Sequence, residues 1–248
     1  MAALCKQIHS ETPVDFIVDF GAGLGHLARV LGYAYNIKVC CLEMQTELNR
    51  QGREMDRHME NLVKKYLKVP ETEQYKSPEH VDLCLTADVT REEFLGTIEK
   101  ALGITNENYT FGIIGLHPCG DLGVILMRMF LQCKQAKFLN FVGCCYQKLT
   151  TNDICLTKNP NPIPNYGYPL SKYLKSMTSD VRLSYEAREI SCHAIELYNE
   201  RLALKDYDYL KVHSYRAAAE RIIVKHYSYL KHSGLKSVKH STDMKFEE

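Results

Sequence analysis

The chain has 248 residues, of which 45% are hydrophobic and 25% charged, enough apolar material for a medium-sized globular fold. The formal net charge is +1, so composition gives no overall electrostatic signal for a nucleic-acid or membrane partner. No apolar run approaches the ~18 residues needed to cross a bilayer, and no secretory signal is expected at the start of the chain.

The ten cysteines include two vicinal pairs, Cys40-Cys41 and Cys144-Cys145. Without a secretory signal, such cysteine usage is typical of reduced thiols in the cytoplasm or nucleus, so we expect an intracellular protein. The sequence contains no C-x-x-C, and its histidines do not stand at zinc-ligand spacing from the cysteines. We therefore expect no metal site.

A glycine-rich stretch near the start of the chain predicts a nucleotide-binding loop. Residues 1–13 form a short polar lead-in, and the apolar run 14–20 predicts a buried strand that contains Asp19. The pattern D-x-G-x-G-x-G follows, and a helix is predicted over 25–35. A dinucleotide fingerprint would need glycine where His26 stands, which disfavours an NAD-dependent enzyme. A plain strand–helix turn is the alternative that remains open.

The next two predicted strands also end in acids. The strand 37–43 ends at Glu43, whose distance from the glycine loop suits a carboxylate that holds a ribose; a helix cap or a solvated end is the other interpretation. After a long helix over 46–68, the strand 81–88 ends at Asp88, a candidate acceptor for an adenine amino group. A turn residue before the next helix explains Asp88 equally well.

The fourth and fifth predicted strands, 111–116 and 137–143, flank a helix over 124–133. Ligands bind beyond the carboxyl ends of parallel strands where the strand order reverses, so the exit of strand four should border the reacting atoms. There His117 and Asp121 are the candidates for accepting a proton, although Asp121 would equally cap the helix and His117 would equally be an edge histidine.

Strand five carries two cysteines and Tyr146 to the same edge. A nucleophilic role for Cys144 or Cys145 is disfavoured, since cysteine more often fills a core and its thiol stays protonated without a basic neighbour. Tyr146 is the better candidate, as an aromatic platform for a planar acceptor.

The last hundred residues differ in character. Residues 159–165 predict an exposed loop, and helices are predicted over 185–204 and 215–231, with no sixth or seventh strand. We therefore expect a cofactor-binding core over 1–150 and a loop and helical segment over 151–248 packed on it. A solvated helix face is slightly favoured over a phosphate-contacting one for the late basic residues Lys225, Lys231, Lys236 and Lys239.

Three motifs together resemble a known family. The loop from Asp19 to Leu27 resembles the first motif of class I S-adenosylmethionine-dependent methyltransferases. With G-L-H-P-C-G-D-L at 115–122 and V-G-C-C-Y at 142–146, the chain resembles the methyltransferase-like protein 25 family over nearly its whole length. That family includes proteins named for a ribosomal RNA adenine dimethylase domain. A more distant likeness is to tRNA 2′-O-methyltransferases.

The resemblance implies an α/β, Rossmann-like methyltransferase fold with a mainly parallel sheet, and S-adenosylmethionine as cofactor. It implies that the following residues bind the cofactor: Asp19, Gly21, Ala22, Gly23, Gly25, Glu43, Asp88 and Leu116. The candidate catalytic residues remain those chosen from the exits of strands four and five, His117, Asp121 and Tyr146. The expected function is methyl transfer, with RNA as acceptor.

Two features depart from the family pattern. Adenine dimethylases place N-[LIF]-P-Y after strand four, where this chain has L-H-P-C at 116–119. The closing strands of the methyltransferase fold are also missing, as in a C-terminally shortened form. A catalytically silent binding protein in an RNA-related or membrane-associated complex is therefore the alternative function.

Overall fold

A computed structural model describes residues 1–66, 75–106, 108–151, 167–177, 182–231 and 233. Within them one sheet of five parallel strands has the order β3-β2-β1-β4-β5. The strands are β1 (Phe16–Phe20), β2 (Val39–Glu43), β3 (Glu79–Asp82), β4 (Phe111–Leu116) and β5 (Ala136–Val142). The predicted α/β, Rossmann-like fold with an unclosed, parallel sheet is confirmed.

Helices connect the strands and continue the chain after β5. They are α1 (Ala2–Glu11), α2 (His26–Tyr35), α3 (Thr46–Tyr66), α4 (Arg91–Leu102), α5 (Leu122–Gln132), α6 (Lys172–Ser176), α7 (Tyr185–Ile190), α8 (Ile195–Ala203) and α9 (Asp208–His226). Short 3-10 turns lie at Tyr146–Lys148 and Ser228–Leu230.

The sheet separates two buried apolar clusters. Alternate side chains of β1 point to opposite faces, so Phe16 and Phe20 join an aromatic cluster with Phe94 and Phe111, while Ile17 faces the other layer. Every residue of β1 is buried, as expected for the central strand of a sheet covered on both faces. Strand order reverses between β1 and β4, so the carboxyl ends of these two strands define the candidate site.

The polar lead-in predicted for residues 1–13 is wrong, because α1 occupies most of it. Cys5 of this helix is fully buried, and Ile8 packs against the cluster that contains Ile17 and Phe138. A helix with few apolar residues is still stabilised when those residues cover an open face of the sheet.

The third strand is shorter than the predicted 81–88. Its last residue, Asp82, pairs with Glu43, the last residue of β2. Because β2 ends there, the ladder stops after the hydrogen bond from the Leu83 N–H to the Glu43 carbonyl, although Leu83 and Leu85 still pack on the core.

The helix predicted over 185–204 is divided into α7 and α8 by residues 191–194, and the last predicted helix starts earlier, at Asp208. Contacts group the chain into two compact units divided between Cys192 and His193. The described parts of 151–192 thus belong to the first unit; the division at 150/151 stays a prediction. The loop at 159–165 lies outside the described residues. None of the described helices is both long and apolar enough to cross a membrane.

Candidate functional site

The loop between β1 and α2 has a backbone that only glycine adopts without strain. Gly21, Gly23 and Gly25 have φ angles of 64°, 57° and 75°. A Cβ at position 23 would meet nothing within 4 Å, so open space lies beside this part of the loop. The residues that the motif singled out therefore form a bare backbone at the point where the strand order reverses.

Glu43 lies directly against this loop. Its Oε2 accepts a hydrogen bond of 3.1 Å from the backbone N–H of Gly23, and its Oε1 accepts one of 2.9 Å from Gln45. The N–H groups of Gly21 and Ala22 donate to the carbonyl of Leu42, which fixes the loop to the end of β2. The structure thus brings Glu43 and the glycine loop together.

Asp19 is buried at the end of β1, and its Oδ1 has no hydrogen-bond partner among the described residues. Burial raises the pKa of its carboxyl from 3.8 to about 7, because the charged form loses its hydration. A buried carboxyl oxygen without a hydrogen-bond partner next to the glycine loop is an unusual arrangement that is costly to maintain.

A buried charged cluster of Arg29, Asp56 and His80, which the sequence did not reveal, supports the glycine loop. Arg29 of α2 donates from Nε to Oδ1 of Asp56 at 2.6 Å, and from Nη2 to the carbonyl of Leu24 at 2.9 Å. The other carboxylate oxygen of Asp56 lies 2.8 Å from Nε2 of His80. These contacts tie the loop to α3 and β3, and Arg29, Asp56 and His80 lie more than twenty residues apart along the chain.

The same cluster gives a second reason, besides the positive φ, why residue 25 must be glycine. A Cβ there would lie 2.8 Å from Cε1 of His80, whose ring is held by Asp56. Gly52 of α3 also approaches the ring, because a Cβ there would lie 2.5 Å from the same atom. The imidazole, which is fully buried, is therefore closely approached by two glycine backbones.

Asp88 does not lie at the end of a strand. It is exposed, in a turn that precedes α4, because β3 ends at Asp82. Asp82 itself accepts a hydrogen bond of 2.6 Å from the amide of Asn49. The prediction that strand three ends at Asp88 is therefore wrong. A contact of Asp88 with adenine stays a prediction.

The exit of β4 borders the glycine loop. A Cβ at Gly21 would lie 3.5 Å from a methyl carbon of Leu122, the first residue of α5. Leu116 is 40% exposed, and the following His117 is exposed with a φ of 66°, a left-handed conformation that is uncommon for histidine. Both candidates therefore lie at the open edge of the sheet.

Asp121 is engaged by the chain that follows β5. Thr150 donates to both carboxylate oxygens, from its backbone N–H at 2.9 Å and from its hydroxyl at 2.7 Å. Gly167 in turn donates to the Thr150 hydroxyl at 2.7 Å, and a Cβ at Gly167 would lie 2.2 Å from Oδ1 of Asp121. These contacts give Asp121 a structural role, because it holds the segment that contains Thr150. Its role as a proton acceptor stays a prediction.

Tyr146 lines a cavity of about 350 Å³ next to the same edge. The residue is 43% exposed, and its hydroxyl donates to the carbonyl of Gly143. The walls come from the exit of β4, α5, the end of β5 and residues 167–174, and they include Phe141 and Tyr168. A cavity of this size with aromatic walls suits a planar group.

Three thiols meet beside this cavity. Sγ of Cys144 lies 3.3 Å from that of Cys119 and 3.4 Å from that of Cys145. Burial and the two neighbouring thiols raise the pKa of Cys144 to about 12. Burial by itself raises the pKa of Cys119, but hydrogen bonds with the neighbouring thiols and the charge of Lys148 outweigh burial, so the pKa is lowered. The sequence signal for such a group is weak, since residues 119 and 144 are far apart.

Of the late basic residues, Lys225 and Lys231 line an open groove of about 680 Å³ together with Arg221 and Glu220. Lys236 and Lys239 lie outside the described residues. Contact between this face and phosphate stays a prediction.

Comparison with known proteins supplies an independent finding. A family described as "Methyltransferase domain" matches residues 1–152. The chain is similar to a Mus musculus protein named "Probable methyltransferase-like protein 25", at 31% identity over 91 residues, 37% of this chain and 14% of the relative. The Homo sapiens protein of the same name is 29% identical over 91 residues, 37% of this chain and 13% of the relative. The predicted family is confirmed, and the match spans a small part of each relative. A likeness over nearly the whole chain stays a prediction.

Proposed function

Because this chain belongs to the methyltransferase-domain family, we propose that it is a methyltransferase that uses S-adenosylmethionine as donor and RNA as acceptor. The observation that carries the proposal is the hydrogen bond between the Gly23 N–H and Glu43 at the carboxyl edge of β1 and β2. It joins a bare loop backbone and a carboxylate at the reversal of strand order, the usual ligand position in open α/β sheets.

Two local features fit the cofactor. The open space beside Gly23 would admit a ligand against the loop backbone, where any side chain would stand in the way. The unpartnered Oδ1 of Asp19 is a buried polar atom that a donor group on a ligand would satisfy, directly or through the loop. Asp19, the three loop glycines and Ala22 would therefore hold the methionine part.

Other residues suit the nucleoside part. Glu43 would accept hydrogen bonds from the ribose hydroxyls, at the cost of its present contacts with Gly23 and Gln45. Met44 is 65% exposed and follows Glu43 directly, and Leu116 is exposed at the end of β4. Exposed apolar side chains on both sides of the loop would cover the adenine ring and exclude water. Sequence reasoning missed Met44, although an apolar residue after a strand-ending acid is its signal.

S-adenosylmethionine, when bound, supplies an electrophilic methyl group on a sulfonium. The chain's part is to align the acceptor in line with that methyl group and to keep water away. Tyr146 would stack on a planar acceptor base in the cavity of about 350 Å³. An imidazole nitrogen of His117 would take the proton that the acceptor atom loses, since Asp121 is already bound to Thr150.

Calorimetric titration with S-adenosylmethionine and S-adenosylhomocysteine tests the cofactor proposal. We expect both to bind, and Gly23→Leu to weaken binding by at least about tenfold. Gly103→Leu is the matched control, because Gly103 also has a positive φ, of 64°, and open space around it, but ends α4 away from the loop. Absence of heat with folded wild-type protein, or equal losses in both variants, contradicts the proposal.

Labelled cofactor tests the acceptor. The protein is incubated with total RNA, with RNA-free lysate protein and with small metabolites in separate reactions, and incorporated label is counted. We expect label in RNA, reduced by Tyr146→Ala and His117→Ala. Label confined to protein or metabolites contradicts RNA as the acceptor, while cofactor binding with no transfer to any pool favours the silent binding protein.

A further inference from the structure

The thiols of Cys119, Cys144 and Cys145 form one compact group in the first unit. Their Sγ atoms all lie within 4.8 Å of one another, and each residue is partly buried. Among the described residues this is the only group of three or more histidine, cysteine, aspartate or glutamate side chains with such spacing. The proposed methyl transfer assigns no task to the group as a whole.

Strand pairing brings the two halves of the group together. Leu116 and Val142 are aligned in the parallel pair β4 and β5, and His117 donates from its backbone to the carbonyl of Val142 at 3.0 Å. Cys119 and the vicinal pair Cys144-Cys145 thus leave adjacent strands at the same edge. Their convergence follows from the sheet register.

The segments that carry the thiols are held firmly. Gly120 has a φ of 59°, and a Cβ there would lie 2.7 Å from the carbonyl oxygen of Lys148, so the loop after Cys119 packs directly on the turn after Cys145. Buried Arg188 of α7 donates to the carbonyls of Gln147 and Leu149 in that same turn. A close packing that requires glycine and a buried cation keeps the three side chains in place.

The spacing suits thiolates around one metal ion. With Zn–S bonds of about 2.3 Å and tetrahedral angles, two sulfur ligands lie about 3.8 Å apart. The distances of 3.3 and 3.4 Å to Cys144 differ from this by a few tenths of an ångström, which a side-chain rotation supplies. Lys148 acts electrostatically on Cys119 and would offset part of the negative charge of three thiolates.

We propose that Cys119, Cys144 and Cys145 bind one Zn²⁺ ion as three thiolates, with the fourth position taken by water. Zinc prefers thiolate sulfur, and three protein ligands with one exchangeable position are typical of reactive rather than purely structural zinc sites. On binding, each protonated thiol releases its proton to solvent as the Zn–S bond forms. Cys144 and Cys145 also line the cavity of about 350 Å³, so the ion would lie at the wall of that cavity.

Cobalt titration of the reduced 248-residue chain tests this site, because Co²⁺ bound by thiolates shows a strong near-ultraviolet charge-transfer absorption. We expect one equivalent to bind, to be displaced by Zn²⁺, and to release protons in an unbuffered solution. Elemental analysis of protein purified in zinc-supplemented buffer should give one zinc per chain.

Variants connect the signal to the three residues. Cys119→Ser and Cys145→Ser should each weaken metal binding by at least about 100-fold. Cys84→Ser is the control, because Cys84 is exposed and lies outside the group, and it should bind as the wild type does. Circular dichroism establishes that each variant is folded, and Cys119→His, which restores a ligand, should recover part of the affinity.

Three outcomes overturn the proposal. The first is the absence of the charge-transfer band in folded, reduced protein, and the second is a band that persists in Cys119→Ser. The third is a disulfide between Cys119 and Cys144 in the protein as purified, together with no cobalt binding once that disulfide has been reduced. None of these outcomes depends on methyl transfer, so the metal site and the proposed function stand or fall separately.

Discussion

The guanidinium of Arg29 and the carboxylate of Asp56 form a buried ion pair at 2.6 Å, with side chains 7% and 6% exposed. Arg29 also holds the carbonyl of Leu24 in the glycine loop. This pair therefore links the stability of the first unit to the shape of the candidate cofactor site.

Arg29→Leu should lower the free energy of unfolding by about 3–5 kcal/mol, because it leaves the Asp56 carboxylate buried without its cation. It should also weaken cofactor binding, since Leu24 loses its partner. Urea unfolding and calorimetry measure the two effects. Arg50→Leu is the control: Arg50 pairs with Glu47 on the exposed face of α3, and its loss should change neither quantity appreciably.

Gly25→Ala should destabilise the protein by about 1–3 kcal/mol, because an alanine there is strained at a φ of 75° and its Cβ meets the enclosed ring of His80. Thermal unfolding measures the change. Gly96→Ala in α4, where a Cβ meets nothing within 4 Å, should instead stabilise by up to about 1 kcal/mol. Equal effects at the two positions would show that residue 25 does not contact His80.

The raised pKa of Asp19 predicts how stability depends on pH. Because the folded pKa is about 7 and the ordinary value 3.8, the folded chain binds more protons than the unfolded chain between these values. The contribution of Asp19 to the free energy of unfolding is therefore fully present below about pH 4, and it is lost as the pH rises through about 7.

Asp19→Asn should remove the loss of stability that ionisation of Asp19 causes. The free energy of unfolding of the variant, relative to that of the wild type, should therefore rise between about pH 5 and pH 8. Chemical unfolding of both proteins at the two pH values measures it, in the absence of cofactor. Asp88→Asn, at an exposed position, should follow the wild type. A parallel pH dependence in wild type and Asp19→Asn contradicts the prediction.

Thr150→Val should lower the free energy of unfolding by about 1–3 kcal/mol, because its hydroxyl bonds both Asp121 and Gly167. Thr150→Ser keeps the hydroxyl and should lose much less. Urea unfolding compares the three proteins. If Val and Ser behave alike, the hydroxyl does not join these segments.

Several features were predictable because they depend on local sequence. The run before Gly21 is apolar over consecutive residues, as a strand covered on both faces must be, and glycine at 21, 23 and 25 is required by positive φ. Parallel strands joined by helices also bring their carboxyl ends to one edge, so the convergence of Glu43 with the loop followed from strand order. The bounds of β4 were predicted to the residue.

Other features were decided only by the tertiary structure. The end of β3 depends on where its neighbour β2 stops, which no pattern within 81–88 reveals. The partners of Arg29, Asp121 and Cys119 lie more than twenty residues away along the chain. Hydrophobic periodicity reports which face of an element is buried, whereas register and packing decide which polar groups meet there, and these arise from the whole chain together.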